Sequence, residues 1–143
     1  LIPFINAPWI SQDLASLKSL GFAIAGLHAV PNAGHFGTHY SMGVDIWPEL
    51  FERAESEDKW SSFLRMLEEE FIKLDEKFPL NLPKGVIHGD LFQDNILGHP
   101  GEVLAILDFE EVCFNILAID LVLVFHKLIY NLPSNIKYLN VGS

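Results

Sequence analysis

Leucine and isoleucine recur at Leu14, Leu17, Leu20, Ile24 and Leu27, steps of three and four residues that place one apolar face on a helix. Ser11 precedes the run and is a residue type that caps helix N-termini, so a helix is predicted to run from it through His28. Positions 31 to 43 then lose all period: four glycines or prolines and two histidines fall there. A stretch of that length without periodicity reads as a loop bordering a functional site. Asp45 and Pro48 start a short helix through Ser56. Trp60, Phe63, Leu64, Leu67, Phe71, Leu74 and Phe78 draw a second amphipathic stripe, with Glu68 to Glu70 on its solvated side.

Residues 79–85 end that helix, and the period changes. Val86-Ile87-His88, Asn95-Ile96-Leu97 and residues 103–107 read as three short strands, the last two joined through His99-Pro100-Gly101 as a hairpin. After Phe114-Asn115 an apolar run from Ile116 to Tyr130 predicts a buried helix, stopped at Asn131-Leu132-Pro133. Asp120, His126 and Lys127 interrupt it, and it is shorter than the roughly 20 residues a membrane span needs.

Composition narrows the classes of function. Half of the 143 residues are hydrophobic and 20% are charged, enough for one core. The formal charge of -10 opposes binding to nucleic acid or an anionic membrane, since such affinity rests on Lys and Arg displacing counterions. The lone cysteine, Cys113, allows no internal disulfide and reads as a small buried hydrophobe in a cytoplasmic protein. The first residues, Leu1-Ile2-Pro3-Phe4-Ile5, do not read as a signal peptide and suggest a cut point in a longer chain. His35 and His39 are four apart, but the glycines around them oppose the helix that metal ligation at that spacing requires.

The chemically informative segment is His88-Gly89-Asp90-Leu91-Phe92-Gln93-Asp94-Asn95, with Asp108-Phe109 thirteen residues beyond the asparagine. Phosphoryl transfer asks little covalent chemistry of a protein: a carboxylate to orient the attacking hydroxyl, and hard oxygen ligands for a magnesium ion. Asp90 follows one strand, Asn95 opens the next and Asp108 ends its partner, so the three oxygens converge at one edge. A catalytic aspartate five residues ahead of a metal-binding asparagine, with a second metal-binding aspartate beyond, is the kinase order. Asp90 takes the catalytic role; Asn95 and Asp108 take the metal.

The run from Gly85 to Asn95 resembles the catalytic loop of the aminoglycoside phosphotransferase and choline kinase superfamily, and within it most resembles homoserine kinases, which typically carry alanine where Gly89 stands and proline where Gln93 stands. Glycine after the histidine is the wider superfamily's usual residue. The resemblance implies an α+β fold of the protein-kinase-like C-terminal lobe type, mainly helical, with a small β-hairpin carrying the catalytic loop. It implies transfer of the ATP γ-phosphate, with Mg2+, to a small-molecule hydroxyl. L-homoserine is the first choice of acceptor; choline-like amino alcohols and aminoglycosides follow. His88 then props the loop rather than acting as a base, and Asp120 steadies the loop from an apolar helix, where a charge is costly without a dedicated partner. Eukaryotic protein kinases fit less well: Phe92 stands where they carry lysine, and Glu110 follows the aspartate-phenylalanine pair where they carry glycine.

Glu110 and Glu111 either meet an acceptor's ammonium group or form a solvated turn. No glycine-rich phosphate loop or strand lysine precedes His88, so positions 1–143 read as the C-terminal lobe of a phosphotransferase domain without its N-terminal ATP-binding lobe. Such a lobe alone is expected to be inactive and to leave apolar surface uncovered. A non-catalytic kinase-like binding module is the alternative class.

Overall fold

The computed structural model describes residues 5–32, 34–77 and 81–126. The first helix, α1 (Leu14–His28), is capped by Asp13 and not by Ser11. The Asp13 carboxylate accepts the Ser16 N–H at 2.9 Å and the Ser16 hydroxyl at 2.6 Å, and Ser11 donates its hydroxyl to the same carboxylate. Those hydroxyls, Ser11's foremost, hold the carboxyl well below its usual range. The buried stripe is also rotated from the predicted one: Leu14 is 73% exposed, whereas Ser16, Leu20 and Ile24 are buried. Two serines account for this, because Ser16 Oγ accepts the Gly101 N–H at 2.8 Å and Ser19 Oγ the Val103 N–H at 2.9 Å. The hairpin is thereby stitched to α1, and Leu20 and Ile24 join Ile10, Leu91, Ile96 and Val124 in the main core.

A single 3₁₀ turn, Val44–Ile46, leads into α2 (Trp47–Ser56), with Pro48 in its first turn. Helix α3 (Ser62–Asp75) is capped by Ser61, whose hydroxyl accepts the Leu64 N–H at 3.2 Å. The two helices close on Phe51, whose ring lies 5.9 Å from Trp47, 5.9 Å from Trp60 and 6.0 Å from Phe71. Of the predicted stripe, Leu64, Leu67 and Phe71 are half-buried, Phe63 and Leu74 are exposed, and Phe78 lies outside the described residues. Of the acids expected on the solvated face, Glu69 and Glu70 are exposed and Glu68 is half-buried.

Strand β1 (Lys84–Ile87) pairs antiparallel with β4 (Cys113–Ile116), in the register Lys84 with Ile116 and Ile87 with Cys113. Strands β2 (Ile96–His99) and β3 (Glu102–Ile106) form the expected hairpin, with an irregularity between Leu97 and Gly98. A Cβ on Gly98 would lie 2.2 Å from the Glu102 carbonyl oxygen, so the bulge requires glycine. The segment before α1 extends this sheet: Ile10 N–H donates to Ile96 at 2.9 Å and Gly98 N–H to Pro8 at 2.9 Å.

Three boundaries move. His88 is not in the strand, because its N–H turns to Asp120. Asn95 ends a 3₁₀ turn, Gln93–Asn95, just before β2. The predicted apolar helix begins later, as α4 (Ala118–Val124), because Cys113–Ile116 is taken up as the partner of β1; its predicted end at residues 131–133 lies outside the described residues. The architecture is α+β, with four α-helices and two antiparallel two-stranded sheets among the described residues. The predicted catalytic loop joins the two sheets and is not carried by the hairpin alone. No helix among the described residues is long and apolar enough to cross a membrane.

Candidate active site

The site is built outward from Asp120, on the first turn of α4 and fully buried. Its Oδ2 accepts the His88 N–H at 2.9 Å, its Oδ1 accepts the Gly89 N–H at 3.0 Å, and His28 Nε2, from the last turn of α1, lies 2.9 Å from Oδ2. A carboxylate inside an apolar helix is tolerated when its lone pairs are filled by donors. Asp120 therefore ties the end of α1 and the exit of β1 to α4.

The His88 ring is buried as well, and its bonds define its protonation. Nδ1 accepts the Asp90 N–H at 3.2 Å, so Nε2 carries the proton and donates to the Leu107 carbonyl at 2.7 Å. The ring is 4.7 Å from that of Phe109. With both nitrogens engaged inside the protein, His88 links the loop to the end of β3.

Asp90 is half-buried at the head of the loop. Asn95 Nδ2 donates to the Asp90 carbonyl oxygen at 2.8 Å and to its Oδ2 at 3.0 Å. The asparagine's amide nitrogen is thus committed, and its Oδ1 is the atom that can meet a cation. Leu107 N–H donates to the Asn95 carbonyl at 2.8 Å, which sets the residue before Asp108 beside Asn95. Asp108 is exposed and left-handed, at φ 60 and ψ 69. A non-glycine residue held there is strained, a condition that functional positions often carry.

Beyond Asp108 the chain makes a 3₁₀ turn, Phe109–Glu111, that separates the two candidate acids. Glu110 is exposed, whereas Glu111 is half-buried and its Oε2 accepts the hydroxyl of Ser41. The neighbouring Tyr40 is buried and its hydroxyl donates to the Gly89 carbonyl at 2.6 Å. Burial, reinforced by the charges of Asp120 and Asp90, pushes the phenol up to about 12. Burial likewise raises the Cys113 thiol. A cleft of about 380 Å³, lined by Tyr40, Met42, Asp45, Asn115, Ile119 and Val122 among others, opens between residues 40–45, β4 and α4.

The structure thus brings Asp90, Asn95, His88 and Asp120 into one bonded cluster, with Asp108 one residue beyond it, and leaves Glu110 exposed while Ser41 engages Glu111. His35 and His39 are both exposed, and no group of three or more His, Cys, Asp or Glu among the described residues is arranged to hold a metal ion. Magnesium suits what is present: it is commonly bound by one or two protein oxygens, with substrate phosphates and water completing its shell. Asn95 and Asp108 offer oxygens of that type. Two contributors escaped the sequence reading. His28 is the partner that a buried Asp120 demanded, yet nothing in the chain pointed to which residue would supply it; Tyr40 lies in a segment without period.

Residues 5–135 match the phosphotransferase enzyme family. The homoserine kinase of Chelativorans sp. (strain BNC1) is 32% identical over 124 residues, covering 85% of this chain and 38% of that protein. The homoserine kinase of Methylobacterium nodulans is 36% identical over 106 residues, covering 73% of this chain and 33% of its own length. The chain therefore spans only about a third of the length of these relatives. Among solved structures, a type I macrolide 2'-phosphotransferase is similar with a TM-score of 0.59 at 23% identity, over 90% of this chain and 45% of that one. A spectinomycin phosphotransferase solved with ADP and spectinomycin gives 0.61 at 19% identity, over 95% and 49%. The fold is shared with both, and the match over residues 5–135 makes this chain a member of the phosphotransferase enzyme family.

Proposed function

We propose that this chain is the catalytic C-terminal lobe of a kinase that transfers the γ-phosphate of ATP to the hydroxyl of a small molecule, with L-homoserine as acceptor. One observation carries the reading: Asp90 is held by Asn95 through both its backbone oxygen and Oδ2, on a loop whose amides are anchored in the buried Asp120. A carboxylate fixed this way is organised to orient a hydroxyl. Asp90 Oδ1 is the oxygen assigned to the acceptor. The acceptor oxygen bonds to the γ-phosphorus, the bond to the bridging oxygen of ADP breaks, and the hydroxyl proton passes to Asp90.

Asn95 Oδ1 and the Asp108 carboxylate would hold magnesium, which supplies neutralisation of phosphate charge when bound. His88 and Asp120 support the loop without touching the substrate. Glu110, exposed at the turn, is assigned to the acceptor's ammonium group; Glu111, engaged by Ser41, shapes the wall beside it. The homoserine kinases at 32% and 36% identity support homoserine over an antibiotic, because the antibiotic phosphotransferases are similar at 23% identity or less and speak to the fold alone.

The nucleotide-binding lobe is assigned to the remainder of the protein. Trp9 at 65%, Phe22 at 70% and Phe63 at 61% exposure support a lobe that packs against further protein. The test is ADP release by the full-length protein with magnesium-ATP, offered L-homoserine, choline or an aminoglycoside, with Asp90→Asn as control. Homoserine-dependent release that the variant loses supports the reading; release with another acceptor alone rejects homoserine, and release unaffected by the variant rejects Asp90.

A further inference from the structure

Tyr40 comes from the loop that the sequence marked as lacking period, and it is 5% exposed. Its ring packs with Ile87 and Cys113 in a small second core. Its hydroxyl donates to the Gly89 carbonyl at 2.6 Å. The peptide to which that carbonyl belongs ends in the Asp90 N–H, which donates to His88 Nδ1 at 3.2 Å. The peptide unit preceding Asp90 is therefore held at both ends of its dipole, once from within the loop that carries Asp90 and once from outside it. Because the unit is planar, two such bonds fix its orientation and with it the direction in which Asp90 leaves the chain.

The segment around Tyr40 is itself anchored. Phe114 N–H donates to the Gly37 carbonyl at 2.7 Å, Gly43 N–H to the Tyr40 carbonyl at 2.9 Å, and Ser41 to Glu111. Tyr40 and Ser41 thus connect the peptide of Asp90 to the acidic turn after Asp108. The same tyrosine faces the cleft beside α4.

We propose that Tyr40 is a positioning residue for phosphoryl transfer: its hydroxyl, acting through the Gly89 carbonyl, aims Asp90 at the acceptor hydroxyl. The inference rests on Asp90 being the base. The hydroxyl keeps its proton at any physiological pH, since burial pushes it up to about 12, and so it remains a donor. Removing the donor while keeping the ring leaves a buried carbonyl unpaired and the peptide held at one end only, by the Asp90 N–H bond to His88. A misplacement of the reacting group on the order of 1 Å costs about a hundredfold in rate.

The experiment uses the full-length protein and reads ADP release from magnesium-ATP, with L-homoserine and with water as acceptors, for wild type, Tyr40→Phe and Asp90→Asn, with thermal melting in parallel. The expected result is a kcat for Tyr40→Phe lowered about ten- to a hundredfold, with KM for ATP and the melting temperature close to wild type and Asp90→Asn lowered about 10²- to 10⁴-fold. A wild-type kcat in Tyr40→Phe beside a slowed Asp90→Asn overturns the role of Tyr40 and spares the phosphotransfer reading. Loss of kcat only in step with a fall in melting temperature and a rise in KM for ATP overturns it too, because that is how a purely packing residue behaves. A wild type without ADP release on either acceptor, or an Asp90→Asn at full rate, sinks the underlying reading and this proposal together.

Discussion

Asn95 reaches back to Asp90, its Nδ2 donating to the carbonyl oxygen at 2.8 Å and to Oδ2 at 3.0 Å. One amide thus restrains both the backbone and the side chain of the candidate base, and leaves its Oδ1 as the atom proposed for the metal. The two residues are predicted to fail differently. Asp90→Asn removes the proposed proton acceptor and should lower kcat about 10²- to 10⁴-fold with nucleotide affinity retained. Asn95→Ala should lower kcat and also raise KM for magnesium-ATP, and an Asn95→Ala enzyme with unchanged KM at all magnesium concentrations would argue against the metal role.

Asp120 is predicted to be the position most sensitive to substitution. Asp120→Ala strands the His88 and Gly89 amides and His28 Nε2 inside the core, and breaking such a buried arrangement costs roughly 3–5 kcal/mol. His28→Leu removes one donor of the set and should cost about 1–3 kcal/mol. Denaturant unfolding should rank Asp120→Ala below His28→Leu and both below wild type. Equal stability of the three would show that the contacts in this cluster carry no net free energy.

How much of this was legible beforehand depended on whether a residue's role was set locally. That Asp90, Asn95 and Asp108 lie near one another could be read because their spacing follows one loop and the hairpin after it. Asp120 could be read as needing a partner, since an acid within Leu117-Ala118-Ile119-Asp120-Leu121 has no cheap solvation. That the partner was His28 follows from how α1 lies against α4, which no local pattern encodes. Strand β4 was missed for the same reason: Cys113–Ile116 is a strand because β1 lies beside it, and its own residues read equally well as the approach to the apolar helix. The capping of α1 by Asp13 over Ser11 was decided by a carboxylate that can accept several donors at once.

Gly89 is predicted to be irreplaceable in this chain. It sits at φ +82, and a Cβ there would lie 2.7 Å from the Glu111 carbonyl oxygen and 3.1 Å from Tyr40 Cε2. Alanine, the residue carried at the matching position by the homoserine kinases the loop resembles, would meet both the unfavourable backbone region and a carbonyl that cannot yield without moving the acidic turn. Gly89→Ala should lose about 1–3 kcal/mol or more of stability and part of its activity, as measured by urea unfolding and by ADP release. A fully stable and active Gly89→Ala would mean that the turn at Glu111 readily gives way.

Alkaline pH should weaken the fold through Tyr40 and Cys113. Burial holds both acids protonated above their ordinary values, 10.0 for the phenol and 9.0 for the thiol, the phenol reaching about 12. The unfolded chain releases these protons first, so the native state binds more of them at high pH. Their contribution to stability is complete below pH 9 and declines as pH rises from about 9 to about 12. Urea midpoints of the wild type should fall across that range, and the fall should be shallower in Tyr40→Phe, which has no proton to lose. An identical decline in wild type and Tyr40→Phe would place the alkaline sensitivity elsewhere. A decline that disappears only when Cys113→Ala is added would divide it between the thiol and the phenol, both of which pack with Ile87 where β1 meets β4.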